Sequence, residues 1–247
     1  MTKIPTRCVH AGTIEDTEKK GVNSPVYVST SYAFIDRPET VYPRYLNTPN
    51  EKAVADKIAA LEETDGALVF SSGMAAISTS LLTFLSQGDH AVFQKGLYGG
   101  TSHFLISEFK RFGLEFTVAE SQGLEDIEKA IRPQTKVIYI ETPSNPILNI
   151  TDIAAVAKMA KGKGIITMID NTFASPVNQQ PATLGMDIVI HSATKYMGGH
   201  SDICAGAVAA RKEIIEKVHA TGLNFGGSLN ALTLYLRERS LKTLEIR

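Results

Sequence analysis

The sequence has few of the features that mark a protein for a membrane, a nucleic acid or an oxidising compartment. Its 247 residues set 25 Lys and Arg against 26 Asp and Glu, a formal charge of −1 with neutral His. Without a block of basic residues, the electrostatic footprint of a dedicated nucleic-acid binder is missing. No apolar run approaches the roughly 18 residues of a bilayer span. The opening Met-Thr-Lys-Ile-Pro-Thr-Arg-Cys has no apolar signal core. Cys8 and Cys204 lie 196 positions apart, so they form neither a CxxC pair nor a disulfide framework. The six His residues contain no HExxH, which disfavours a metal enzyme. No Gly-x-Gly-x-x-Gly follows a strand, which disfavours a nicotinamide oxidoreductase. There is no internal repeat or low-complexity tract. What remains is 43% hydrophobic and 21% charged residues, ordinary for a globular chain long enough to bury a substantial core. The expectation is a soluble, cytoplasmic protein.

Residues 1–50 differ from the rest. They carry Pro5, Pro25, Pro38, Pro43 and Pro49 with no sustained period, and read as an extended, loop-rich arm. From Asn50 helical spacing begins with Val54, Ile58 and Leu61. Strands are then predicted at Ala67–Phe70, His90–Gln94, Phe116–Ala119, Lys136–Ile140, Ile165–Ile169 and Asp187–His191. Helical patterns separate them, with Met74, Ile77, Leu81 and Leu85 on one face of the first and Thr151–Lys163 the clearest later one. Strands joined through helices imply crossover connections, hence an α/β fold whose mostly parallel sheet is sandwiched by helices.

Ligands in such sheets sit beyond the carboxyl ends of the strands, so the residues just after each strand are the ones to read. Ser71-Ser72-Gly73-Met74 opens a helix whose start can cradle an anion, although alone it reads better as a serine-capped helix start with nothing bound. Leu97-Tyr98-Gly99-Gly100 presents an aromatic beside a sharp turn. Glu141-Thr142-Pro143-Ser144-Asn145-Pro146 is a proline-fixed loop that pre-positions Asn145. Asp170 follows five apolar residues, so its carboxylate is expected to be desolvated and to have a cationic partner. Lys195, in Ser192-Ala193-Thr194-Lys195, is a poor choice after a buried strand unless its amine is used; burial is expected to lower its pKa and make it nucleophilic. Each feature has a bland structural explanation. Together an anion cradle, a stacking aromatic, a buried carboxylate and a reactive lysine on one sheet edge match the needs of pyridoxal phosphate.

The sequence at this point resembles the Cys/Met-metabolism family of pyridoxal-phosphate enzymes: cystathionine γ-synthase, the cystathionine γ- and β-lyases, methionine γ-lyase and the O-acylhomoserine sulfhydrylases. DIVIHSATKYMGGHS at 187–201 is similar to the family's lysine signature over its full length. SSGMAAI at 71–77, LYGGT at 97–101, ETPSNP at 141–146 and DNTFASP at 170–176 match in the family's order. The resemblance implies the aspartate aminotransferase-like large domain of fold type I over residues 51–247. It implies Lys195 as the Schiff-base lysine and proton shuttle, Asp170 as partner of the pyridinium nitrogen, and Asn145 on the ring-oxygen side. It also implies that Tyr98 stacks on the ring and can act as an acid/base, and that Ser72, Gly73, Met74, Ser192 and Thr194 surround the phosphate. Tyr42-Pro43-Arg44 resembles the family's Tyr-x-Arg, which reaches the phosphate of a neighbouring subunit. The arm thereby acquires inter-subunit contacts, and a homo-oligomer, a dimer within a tetramer, is implied.

There are two departures from the family pattern. Gly100 stands where methionine γ-lyases typically carry cysteine, which leans away from that member. The chain also ends at Arg247, where family members continue into a C-terminal domain bearing the arginine for the substrate carboxylate. The expectation is a chain without that domain, either a fragment or a natural truncation. The reaction implied is elimination of a thiol from cystathionine or a related amino acid. The alternatives are γ-replacement on an activated homoserine ester and, from another class, a non-catalytic cofactor-binding remnant.

Overall fold

The computed structural model describes residues 3–247. Among these, the first element is a short helix α1 (Ile4–His10), which the proline-rich arm had not suggested. Pro5 sits in its first turn, where a missing N–H costs nothing, and its one buried side chain, Cys8, packs into the core beside Val54 and Ile58. Seven residues carry too few turns for a period to show. Beyond α1 the arm is irregular apart from a single 3₁₀ turn at Pro43–Tyr45.

The helix α2 (Pro49–Glu62) starts on a capping box: Thr48 accepts from the Glu51 N–H, and the Glu51 side chain takes the Thr48 N–H. It leads into β1 (Gly66–Phe70), α3 (Gly73–Phe84), β2 (His90–Phe93) and α4 (Gly99–Phe104). Next come β3 (Glu115–Val118), α5 (Leu124–Lys129), β4 (Thr135–Glu141), α6 (Ile153–Gly162) and β5 (Ile166–Asp170). The chain closes with α7 (Ser175–Asn178), β6 (Ile188–His191), β7 (Gly206–Ala210), α8 (Lys212–Phe225) and α9 (Ala231–Leu241).

The strands form one sheet in the order β1-β7-β6-β5-β4-β2-β3. The run from β6 to β3 is parallel, as the intervening helices require, whereas β7 is antiparallel to both β1 and β6. No helix is long and apolar enough to cross a membrane among the described residues.

Side chains alternate between two cores, as a period of two dictates. Val69, Ile138, Ile140, Ile169 and Val189 face α2, α6 and α9, whose Val54, Ile58, Leu61, Val156 and Leu234 cover them. Leu68, Phe70, Val137, Tyr139, Met168 and Ile190 face α3 and α8, against Ile77, Leu81 and Val218. These two faces fix the direction of every residue at the strand ends. Tyr139 and Met168 point to the α3 side, so Glu141 and Asp170 do too. Thr142, Asn171 and His191 point to the α2 side.

Candidate active site

At the carboxyl ends of the parallel strands, on the α3 side, lies a cavity of about 860 Å³. It is lined by Ser72, Gly73 and Met74 from the start of α3, Tyr98 from the start of α4, and Asn145 after β4. Asp170, the last residue of β5, and Ser192, Thr194 and Lys195 after β6 complete the set expected on this edge. Tyr42 and Arg44 are not brought to it. Arg44 instead donates to the Leu223 carbonyl at 2.6 Å, and its guanidinium lies 5.0 Å from the ring centroid of Tyr45.

Each wall follows from local sequence. Ser72 caps α3 by accepting from the Ala75 N–H at 3.0 Å, which leaves the first N–H groups of the helix directed at the cavity. Gly73 is needed for close approach: a Cβ there would lie 2.7 Å from the Ser192 Cβ. The Ser192 N–H donates to the Thr172 hydroxyl at 2.7 Å, and Thr194 Oγ1 accepts the Ala205 N–H at 3.1 Å, so the loop after β6 is held from both sides. Tyr98 is 45% exposed, with one edge of its ring over Gly100, where a Cβ would lie 2.5 Å from Tyr98 Cε1.

Asp170 is buried, as expected, but no cationic group contacts it among the described residues. Its Oδ1 accepts the Thr172 N–H at 3.0 Å. Burial pushes its carboxyl pKa up, against the lowering effect of the Thr172 hydrogen bonds and of nearby His191. Lys195 departs from expectation: it is exposed rather than buried. It belongs to a turn beyond the end of β6, closed by the Gly199 N–H donating to the Lys195 carbonyl at 2.7 Å, whose Lys195, Tyr196 and Gly199 line the cavity. Its amine makes no hydrogen bond or ion pair with the described residues, and the side chain lines the cavity.

Glu141 was not singled out from the sequence. It is the buried last residue of β4, and its carboxylate accepts Tyr98 N–H on Oε2 at 2.7 Å and Asn145 N–H on Oε1 at 3.1 Å. Burial first, and the Asp170 charge second, push its pKa up to about 7. A glutamate closing a buried apolar strand, the first residue of ETPSNP, was the available signal. Thr172, Phe173 and Tyr196 also line the cavity, the two rings meeting edge to face at 5.8 Å.

The set is suited to an anionic, flat, electrophilic ligand, since one cavity offers N–H groups and hydroxyls, a carboxylate, an aromatic face and an amine. The sequence profile described as Cys/Met metabolism PLP-dependent enzyme matches residues 5–247. Cystathionine gamma-lyase of Bacillus subtilis is 42% identical over 248 residues, covering 99% of this chain and 65% of that protein. Cystathionine gamma-synthase of Mycobacterium tuberculosis is 40% identical over 247 residues, covering 98% of this chain and 63% of the relative. Among solved structures, metB from Corynebacterium glutamicum superposes with a TM-score of 0.96 at 39% identity, covering 100% of this chain and 65% of that one. The chain thus spans just under two thirds of the length of these relatives. With the profile matched almost from end to end, the chain belongs to the Cys/Met metabolism PLP-dependent enzyme family.

Proposed function

We propose that the chain binds pyridoxal phosphate in this cavity and serves the elimination of a thiol from cystathionine or a related sulfur amino acid. The observation that carries the reading is the convergence of Asp170, Lys195, Tyr98 and the Ser72–Met74 helix start on one cavity. The residues present fit the cofactor. A buried carboxylate without a cationic partner suits a protonated ring nitrogen, and the glycine at 73 leaves the helix N–H groups open to a phosphate.

Bound pyridoxal phosphate supplies an electron sink for a carbanion at the substrate Cα. The protein's own residues do the rest. Asp170 holds a proton on the ring nitrogen. The N–H groups of Gly73 and Met74, with the hydroxyls of Ser72, Ser192 and Thr194, hold the phosphate. Tyr98 would cover one ring face and could give a proton to a leaving thiolate, and Asn145 would serve the ring-oxygen side. Lys195 would hold the cofactor through its amine and, once released, would be the base for the substrate Cα proton, with a γ-substituent requiring a second proton transfer at Cβ.

The arm, residues 1–50, is assigned to contacts between subunits of a cytoplasmic homo-oligomer, a dimer of dimers, with residues 51–247 as the cofactor domain. Val22, Val28, Phe34 and Ile35 of the arm are 70–89% exposed, an apolar surface that a second subunit would cover. Arg44, remote from its own cavity, is then available to a neighbour's phosphate.

Borohydride reduction of the cofactor-loaded protein followed by peptide mapping is the direct test: label on Lys195 is expected, and label on another lysine, or none, would overturn the reading. Release of pyruvate, 2-oxobutyrate or cystathionine from candidate substrates separates β-elimination, γ-elimination and γ-replacement, the last favoured by the synthase relative. Covalent loading without turnover would instead fit a cofactor-binding remnant.

A further inference from the structure

On the opposite side of the strand ends from the cavity runs a buried polar network whose members are chain neighbours of cavity residues. His191 precedes Ser192, Asn171 follows Asp170, and Thr142 follows Glu141. Adjacent residues on a strand point to opposite faces, so these three are directed at α2 while their neighbours face the cavity.

Glu62, near the end of α2, joins them. Its Oε1 meets His191 Nε2 at 2.6 Å and accepts from Asn171 Nδ2 at 3.0 Å. Gln179 Nε2 donates to Asn171 Oδ1 at 2.8 Å and to the Thr142 carbonyl at 2.9 Å. The Thr151 N–H donates to the Thr142 hydroxyl at 3.0 Å, and the Thr151 hydroxyl to Gln94 Oε1 at 3.1 Å. The ends of β2, β4, β5 and β6 are thus tied into one line. Glu62, Asn171, His191 and Gln94 are all wholly buried.

A carboxylate buried this deeply costs several kcal/mol unless it is paired and hydrogen-bonded. Packing alone would be served by apolar side chains, as the rest of this face is. The 2.6 Å contact to His191 and the Asn171 amide partner Oε1, while Glu62 Oε2 and His191 Nδ1 are left without a hydrogen bond among the described residues. The His191 contact also places an imidazole one residue from the phosphate-side loop and within electrostatic reach of Asp170.

We propose that Glu62 is a positioning residue: from the far side of the sheet, through Asn171 and His191, it fixes the reach of Asp170 and Ser192 toward the cofactor. The inference rests on the cofactor reading above.

The test compares Glu62→Gln with Leu61→Ala, a buried neighbour on the same helix that lies outside the network. Glutamine keeps an acceptor at Oε1, so the chain can fold, but it removes the charge that orders the imidazole. Pyridoxal phosphate affinity, measured by fluorescence quenching, is expected to weaken about tenfold in E62Q, as a misplacement behind a site does. The ring nitrogen resonances of His191 in the cofactor-free protein should move as well. L61A, though less stable to heat, should bind within about twofold of wild type, because it removes no side-chain hydrogen bond of the network.

Wild-type binding together with unchanged affinity in E62Q would overturn the inference alone. Equal weakening in L61A would also overturn it, since general stability would then explain the loss. Failure of the wild-type chain to bind the cofactor would overturn the functional reading and this inference with it.

Discussion

The backbone N–H of Tyr98 lies 2.7 Å from Oε2 of Glu141, so a carboxylate at the end of β4 holds the start of α4. The other oxygen takes the N–H of Asn145, which makes Glu141 the common anchor of two loops that border the cavity.

Because burial raises the Glu141 pKa to about 7, its protonated form is favoured by folding. Its contribution to stability is full below the unfolded value near 4.5 and is lost as the pH rises through 7. Glu51, also raised to about 7 by burial, adds a slope of the same sign. Melting temperatures measured from about pH 5 to about pH 8 should therefore fall, and Glu141→Gln should flatten part of that fall. An unchanged slope in the variant would remove Glu141 as its source.

Lys195→Ala should leave the fold intact, within about 0.5 kcal/mol, because an exposed side chain without a partner is removed. The variant should lose its cofactor absorbance on gel filtration under conditions where wild type keeps it. Retained absorbance would contradict the assigned role.

Gly73→Ala should be far more damaging than its one carbon suggests. The added methyl meets the Cβ of Ser192 at 2.7 Å and its backbone Cα at 2.9 Å, so two loops must part. Overpacking of this kind costs about 1–3 kcal/mol. Thermal denaturation should show that loss, and cofactor titration a weakened phosphate site.

Gly100→Ala is expected to act differently. Its methyl meets the edge of the Tyr98 ring at 2.5 Å and Met74 Sδ at 3.2 Å, both parts of movable side chains. Stability should change little, while Tyr98 turns away from its present position. Circular dichroism of the bound cofactor should change with near-normal melting; an unaltered spectrum would show that the ring does not sense Tyr98.

The strands that could be read in advance were those with compact apolar runs, such as Lys136–Ile140 within the observed Thr135–Glu141. β7, GAVAA, went unread because alanine and glycine carry no strand signal; it is a strand because two neighbours pair with it and it is wholly buried. The cavity residues were legible since each lies at the carboxyl end of a strand or in the segment that follows it. Lys195 lay on the right loop, but its exposure depends on how the turn after β6 packs in three dimensions, which no local pattern encodes. The network behind the site was invisible for a simpler reason: Glu62 and His191 are 129 positions apart and only the sheet brings them together.

The reversed strand has one more effect. β7 separates β1 from β6, so the chain segments leaving those two strands start roughly 10 Å apart, twice the spacing of paired strands. They nevertheless converge, and they do so over Gly206, where a Cβ would sit 2.0 Å from the Ser72 carbonyl oxygen. Hydrogen at that position is the keystone of an arch: any larger group would act as a wedge, spreading the two shoulders of the proposed phosphate site.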